Sequence, residues 1–128
     1  MKLLLDTHTL LWWFFEDPRL STRARTAIAD SDNEVLVSAA SAWEIAVKFQ
    51  LGKLPEAADA VHRFEALVAA DGFTALPIAA RHALRAGTYS AAHRDPFDRM
   101  LAAQSELEAA TLVTQDPALA AFPCARLW

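Results

Sequence analysis

The sequence predicts an α/β fold built on a mainly parallel sheet, and three observations lead there. Short apolar runs alternate with longer stretches of helical periodicity. Hydrophobic residues make up 54% of the chain and charged ones 22%, enough apolar surface to offset the entropy of ordering. Apolar runs end at acids or small polar residues, as strands do when both faces of a sheet are covered.

The elements follow in order. Residues 2–5 read as a strand ending at Asp6, and 7–15 as a helix halted by Glu16-Asp17-Pro18. A cap-competent Ser21 opens a helix over 21–30, and the β-branched run at 34–38 reads as a strand. A helix over 39–51 ends at Gly52, a natural residue for the position after a helix. Ala57, Ala60, Val61, Phe64, Leu67 and Val68 give one helical face over 56–70, stopped by Asp71-Gly72. A strand at 73–76 and a helix at 79–86 closed by Gly87 come next. The chain finishes with a helix over 96–107, a strand at 111–114, a helical turn at 117–121 and a strand at 124–127. Right-handed crossovers between such strands give a sheet with helices on both faces.

A length of 128 residues suits one domain over 1–128, with no repeat, linker or low-complexity tract. Twelve Lys and Arg against sixteen Asp and Glu give a net charge of −4, which does not suggest a polyanion-binding surface. The single cysteine, Cys124, allows no internal disulfide and fits a reducing compartment, so a cytoplasmic protein is expected. The opening Met-Lys-Leu-Leu-Leu is cut short by Asp6 and His8, too soon for a signal peptide, and no apolar run reaches membrane-spanning length.

Ligands of a parallel sheet bind beyond the carboxyl ends of its strands, so acids placed there carry the functional question. Asp6 follows the first strand directly and Asp116 follows the 111–114 strand by one residue. Glu44 lies in an apolar helix, and Asp95 and Asp98 in His-Arg-Asp-Pro-Phe-Asp-Arg. Each acid also has a structural explanation. Asp95-Pro96 and Asp116-Pro117 match an N-cap followed by proline, Asp6 can cap the next helix, and Asp98 suits a first helical turn. Ser41 to Glu44 matches a capping box, although a helix starting near Ala39 puts Glu44 in the second turn, where its carboxylate needs a partner.

Capping does not account for convergence, which the α/β fold itself predicts. Two charges ~4 Å apart at an effective dielectric of about 20 repel by about 4 kcal/mol, a large part of a net stability of about 5–15 kcal/mol. Protonation or a bound cation must compensate, and an all-oxygen donor set suits Mg²⁺ or Mn²⁺.

Four segments carry a resemblance: Met1 to His8, Ser38 to Ile45, His93 to Gln104, and Leu112 to Asp116. In this order and spacing they resemble the motifs of a PIN-domain ribonuclease, and more narrowly the VapC toxin of a VapBC toxin–antitoxin pair. The resemblance implies a three-layer αβα sandwich around about five strands. It also implies an acidic tetrad of Asp6, Glu44, Asp98 and Asp116 that holds one or two Mg²⁺ or Mn²⁺ ions and activates water to hydrolyse RNA. Asp95 lies outside that tetrad and is expected as a cap or outer-shell group, with Thr7 and Thr114 holding water or supporting the ligands. A VapB-type antitoxin is the implied partner, and a homodimer the implied assembly.

An RNA substrate needs a cationic rim. Lys48, Lys53, Arg94 and Arg99, with His93 beside the third motif, are the candidates. Arg23, Arg25, Arg81 and Arg85, and His8, His62 and His82, read as helix-face residues. The Trp12-Trp13-Phe14-Phe15 block exceeds what one helix can bury and points to an interface, with filling of the core as the alternative. Two other functions compete. A phosphatase with Asp6 as nucleophile wants a second acid two residues on, where this chain has His8. A non-catalytic metal- or protein-binding module would use the acids only as caps. Setting the tetrad aside leaves twelve acids against twelve Lys and Arg, so the whole net charge equals the expected metal site.

Overall fold

The computed structural model describes residues 1–128. Strands β1 (Lys2–Leu5), β2 (Glu34–Ser38), β3 (Thr74–Leu76), β4 (Thr111–Val113) and β5 (Arg126–Leu127) form one sheet in the order β3-β2-β1-β4-β5. Every pairing is parallel, with Leu4 opposite both Leu36 and Leu112. From β1 the chain builds outward through β2 to β3, then returns to the other side of β1 for β4. That reversal places the switch point between the carboxyl ends of β1 and β4, where such sheets bind ligands.

The period-2 alternation of the strands divides the core. Leu3, Leu5, Val35, Val37 and Val113 face one layer, made by α1 (Thr7–Phe14), α2 (Thr22–Ala29), α4 (Ala58–His62) and α5 (Phe64–Ala70). Leu4, Leu36 and Leu112 face the other, made by α6 (Ala80–Thr88) and α7 (Pro96–Leu107). There Ala86, Ala102 and Ala103 keep the helix faces small where α6 and α7 meet the sheet. Between β2 and α4, α3 (Ala39–Gln50) contributes Ile45 to the first core and Ala40 to the second. This is the expected αβα sandwich, with its sheet wholly parallel.

Several elements differ from expectation. The helix expected over 56–70 is a 3₁₀ turn at Pro55–Ala57 followed by α4 and α5, separated at Arg63, whose backbone is non-helical (φ −126°, ψ 26°). No Gly or Pro marks that break. Gly87 does not close α6, which runs on to Thr88, whose hydroxyl donates to the Leu84 carbonyl at 2.8 Å. Gly52 and Gly72, which follow α3 and α5, do take the left-handed backbone (φ 76° and 72°) that glycine adopts without a Cβ clash. The last strand is shortened to Arg126–Leu127.

His82 is a core residue and not a helix-face one. It is 1% exposed, and its Nδ1 accepts the Ala79 backbone N–H at 2.9 Å, closing the start of α6. Arg81 and Arg85 are tied to the far end of α7 by ion pairs with Glu108 (2.7 Å) and Glu106 (2.9 Å). Trp12, Trp13 and Phe14 pack half-buried against the first core cluster, Trp13 donating to Asp71 at 3.0 Å, and only Phe15 of the block is exposed. No helix is long and apolar enough to cross a membrane.

Candidate active site at the switch point

Asp6 leaves β1 as the N-cap of α1, its Oδ1 accepting from the Thr9 N–H at 2.8 Å. Its own N–H donates to the Val113 carbonyl at 3.1 Å, which fixes it against the end of β4. The side chain is buried, and that burial pushes its carboxyl above the ordinary range; hydrogen bonds from Thr114 and Thr9 offset only part of the rise. Asp116 caps the turn after β4 by accepting from the Ala118 N–H at 2.9 Å, and stays exposed. Both acids line one open groove of ≈ 530 Å³.

Glu44 and Asp98 come from helices. The cap of α3 is Ser38, whose Oγ accepts from the Ala40 N–H at 2.9 Å, so the capping box expected at Ser41 and Glu44 does not form. Ser41 is instead buried and accepts from the Thr7 hydroxyl at 3.1 Å, tying α3 to the start of α1. Glu44, 5% exposed, is held by Lys48 at 2.7 Å. Asp98 sits in the first turn of α7 with His93 Nε2 2.8 Å from its Oδ2. Burial raises its carboxyl; the bond to His93 opposes the rise, and the charges of Asp95 and Glu44 add to it. Asp95 is the N-cap of α7, accepting from the Phe97 and Asp98 N–H groups at 2.9 and 3.1 Å.

Asp6 and Asp116 share the groove at the switch point, while Glu44 and Asp98 lie outside its lining, linked only by the charge that Glu44 adds against Asp98. No three His, Cys, Asp or Glu side chains close on a common point. Each carboxylate is turned to a partner of its own, a cap, Lys48 or His93. The donor set fits a hard divalent cation. It is all oxygen, it includes a buried carboxyl that burial makes costly to ionise, and positive charge beside Asp6 and Asp98 would relieve that cost.

The expected rim changes. Arg99 donates from Nε to the Ala86 carbonyl (2.8 Å), from Nη1 to Ala91 and His93 (3.1 and 2.9 Å), and from Nη2 to Tyr89 (2.7 Å). With these donors committed to backbone carbonyls, it braces the segment that carries His93. Lys48 is engaged by Glu44, whereas Lys53 and Arg94 are exposed. Sequence reasoning missed two features here. Gln104 is fully buried, accepts from the Ser38 hydroxyl, and donates to the Pro77 carbonyl at 3.2 Å, pinning α7 to the cap of α3. His8, expected as an ordinary helix-face residue, opens into the groove of Asp6 and Asp116. An apolar residue at position 104 would have signalled core, whereas the polar Gln gave no local sign of its burial.

The PIN domain family profile matches residues 3–123. This chain belongs to the PIN-domain family. Ribonuclease VapC16 of Mycobacterium tuberculosis (strain ATCC 25618 / H37Rv) is 52% identical over 42 residues, which is 30% of this chain and 30% of that protein. Among solved structures, VapBC2 from Rickettsia felis, bound to a DNA fragment from its promoter, superposes with a TM-score of 0.75 at 16% identity, covering 100% of this chain and 99% of that chain. FitAcB from Neisseria gonorrhoeae gives 0.64 at 18% identity, over 98% and 96%. At these identities the structural likeness speaks for the PIN fold, which the sheet order and the two helical layers share.

Proposed function

We propose that this PIN-domain chain is a metal-dependent endoribonuclease and the toxin of a type II toxin–antitoxin pair, neutralised by a cognate VapB-type antitoxin. The observation that carries the reading is the position of Asp6 and Asp116 on either side of the sheet's switch point, with Glu44 and Asp98 supplied from the helices beside it. The similarity to ribonuclease VapC16 over 42 residues supports it, as do structural neighbours solved as VapBC and FitAB proteins.

In this reading the four carboxylates would hold Mg²⁺ or Mn²⁺, which would supply Lewis acidity toward a phosphodiester and its attacking water. Asp6, fixed by the Thr9 N–H and backed by Thr114, and Asp116 would hold it from the strand ends. Glu44 and Asp98 would reach it from α3 and α7 once turned from their present partners, with His93 orienting Asp98 and Thr7 fixing α3 through Ser41. Asp95 keeps its cap and acts from outside that set. Lys53 and Arg94 remain as exposed cations for the RNA backbone, and Lys48 lies at the same edge beside Glu44. The balanced charge of the rest of the chain makes non-specific RNA affinity weak, so shape and local contacts select the substrate.

A homodimer in the cytoplasm is part of the same reading. For the antitoxin, a second groove of ≈ 540 Å³ offers an apolar floor that includes Trp13, Phe14 and Leu67, rimmed by Glu56, Asp59 and Asp71, which suits a basic amphipathic segment. One observation favours a competing reading: Asp6, Asp95 and Asp116 all make real cap hydrogen bonds, as a non-catalytic module would have them do.

Incubation with single-stranded RNA separates the two. The nuclease cleaves in Mg²⁺ or Mn²⁺, stops in chelator, and loses activity in Asp6→Ala; absence of metal-dependent cleavage by the wild-type chain leaves the module. Expression without a partner arrests growth only if the chain is also a toxin.

A further inference from the structure

The groove at the switch point contains more than its two acids. On α1, His8 lies two residues beyond Asp6, its imidazole exposed and stacked on the Trp12 indole (centroids 5.9 Å apart, planes 29°). Trp12 is half-buried and steadied by the edge of Trp128 (5.7 Å) and by the Arg19 guanidinium, 5.1 Å from its ring. Asp17 takes Nε and Nη2 of Arg19, which fixes the guanidinium while the side chain stays 66% exposed. Nη1 has no protein acceptor. Arg19 is the one Lys or Arg lining this groove.

We infer that His8, Trp12 and Arg19 form a nucleotide subsite for single-stranded RNA, next to the scissile position: an unpaired base stacks on the exposed face of His8, backed by Trp12, and Arg19 takes the adjoining phosphate. The inference rests on the nuclease reading of the same groove. Three features select RNA over a peptide segment. The surface is a stack of flat rings open on one side, which accepts any base through its π face. The groove's one cation, Arg19, is held by Asp17 on one edge and keeps Nη1 beside those rings open to a backbone phosphate. The groove also runs past Asp6 and Asp116, so a strand lying in it presents a phosphodiester to the acids. None of the three residues is placed among the metal-holding carboxylates, so they act on where the strand sits.

The test measures binding by fluorescence anisotropy, in chelator so that no strand is cut. The probes are a labelled single-stranded RNA decamer and a set of the same decamers each lacking one base. For the wild-type chain, removal of the base at one position weakens binding about tenfold. His8→Ala binds the intact decamer about as weakly and loses nothing further at that abasic position, whereas His8→Phe, which keeps a stacking face, restores both. Arg19→Gln weakens every decamer and lowers the salt dependence by about one phosphate contact. In cleavage of the intact decamer, the His8→Ala loss falls on KM and not on kcat. His8→Ala binding as tightly as wild type, or loss of antitoxin affinity with RNA affinity intact, overturns the subsite. The expected binding pattern without metal-dependent cleavage upholds the subsite and overturns the nuclease reading, so the two failures are distinguishable.

Discussion

Two sets of carboxylates in this chain sit in opposite electrostatic circumstances. At the switch point, Asp6 is buried and Asp98 half-buried, and both carboxyls are pushed up by loss of solvent, Asp98 further loaded by the charges of Asp95 and Glu44. On the far side of α7, Glu106 is gripped by Arg85 through two N–H donors and by the Tyr89 hydroxyl, which hold its carboxyl below the ordinary range. The first set costs stability at neutral pH and the second supplies it. Carboxyls whose desolvation opposes folding at the ligand-binding edge of a parallel sheet mark a candidate functional site.

Substitutions at five positions sharpen that contrast. The largest effect belongs to Asp6→Asn and Asp98→Asn, each lowering the single-turnover rate of RNA cleavage by about 10³-fold. Stability moves the other way. Because the folded carboxyl of Asp6 is raised, its burden is absent below the ordinary value of 3.8 and grows as pH rises through the folded value. Asn still caps α1, so Asp6→Asn melts higher than wild type at pH 7, and the two melts converge below that value. A variant that melts lower at pH 7 would place Asp6 with the structural acids.

Arg99→Ala comes next. It strips the Ala86, Tyr89, Ala91 and His93 carbonyls of their donor, destabilises the fold by about 3 kcal/mol and slows cleavage roughly tenfold by loosening the segment that holds His93. Lysine cannot reproduce a fork of donors, so Arg99→Lys does not rescue. The salt dependence of RNA binding stays unchanged; a drop in it would return Arg99 to the phosphate rim. Asp95→Ala loses about 1 kcal/mol of capping and keeps part of its activity, whereas complete loss would move Asp95 into the metal set. Smallest is Glu106→Gln, which lowers the melting temperature by a few degrees at pH 7 and leaves cleavage intact. Its deficit disappears as pH falls below 4.5 through the depressed Glu106 value. Loss of cleavage there would dissolve the distinction between the two sets.

What the sequence made legible follows the range of each interaction. The caps at Asp6, Asp95 and Asp116 act over two or three residues, and each forms as expected. The limits of β2 and α7 agree as well, marked by a β-branched run and by Asp-Pro. Glu44 announced its burial by standing among apolar neighbours, though its partner Lys48 is one turn further on. Less local features were hidden. Gln104 reaches Ser38 across 66 positions, and Arg99 finds its acceptors on the segment ending α6, up to 13 residues back. His82 looked like any helix-face histidine because its buried role depends on how α6 packs over the sheet. At Arg63 the helix breaks without a Gly or Pro to foretell it.

The central claim, that the switch-point acids hold a divalent cation, is tested most directly by calorimetric titration of Mn²⁺ into the wild-type chain and Asp6→Asn at pH 7. The account predicts saturable binding by the wild type and at least tenfold weaker binding by the variant. Equal binding by the two chains, or none by either, would contradict it.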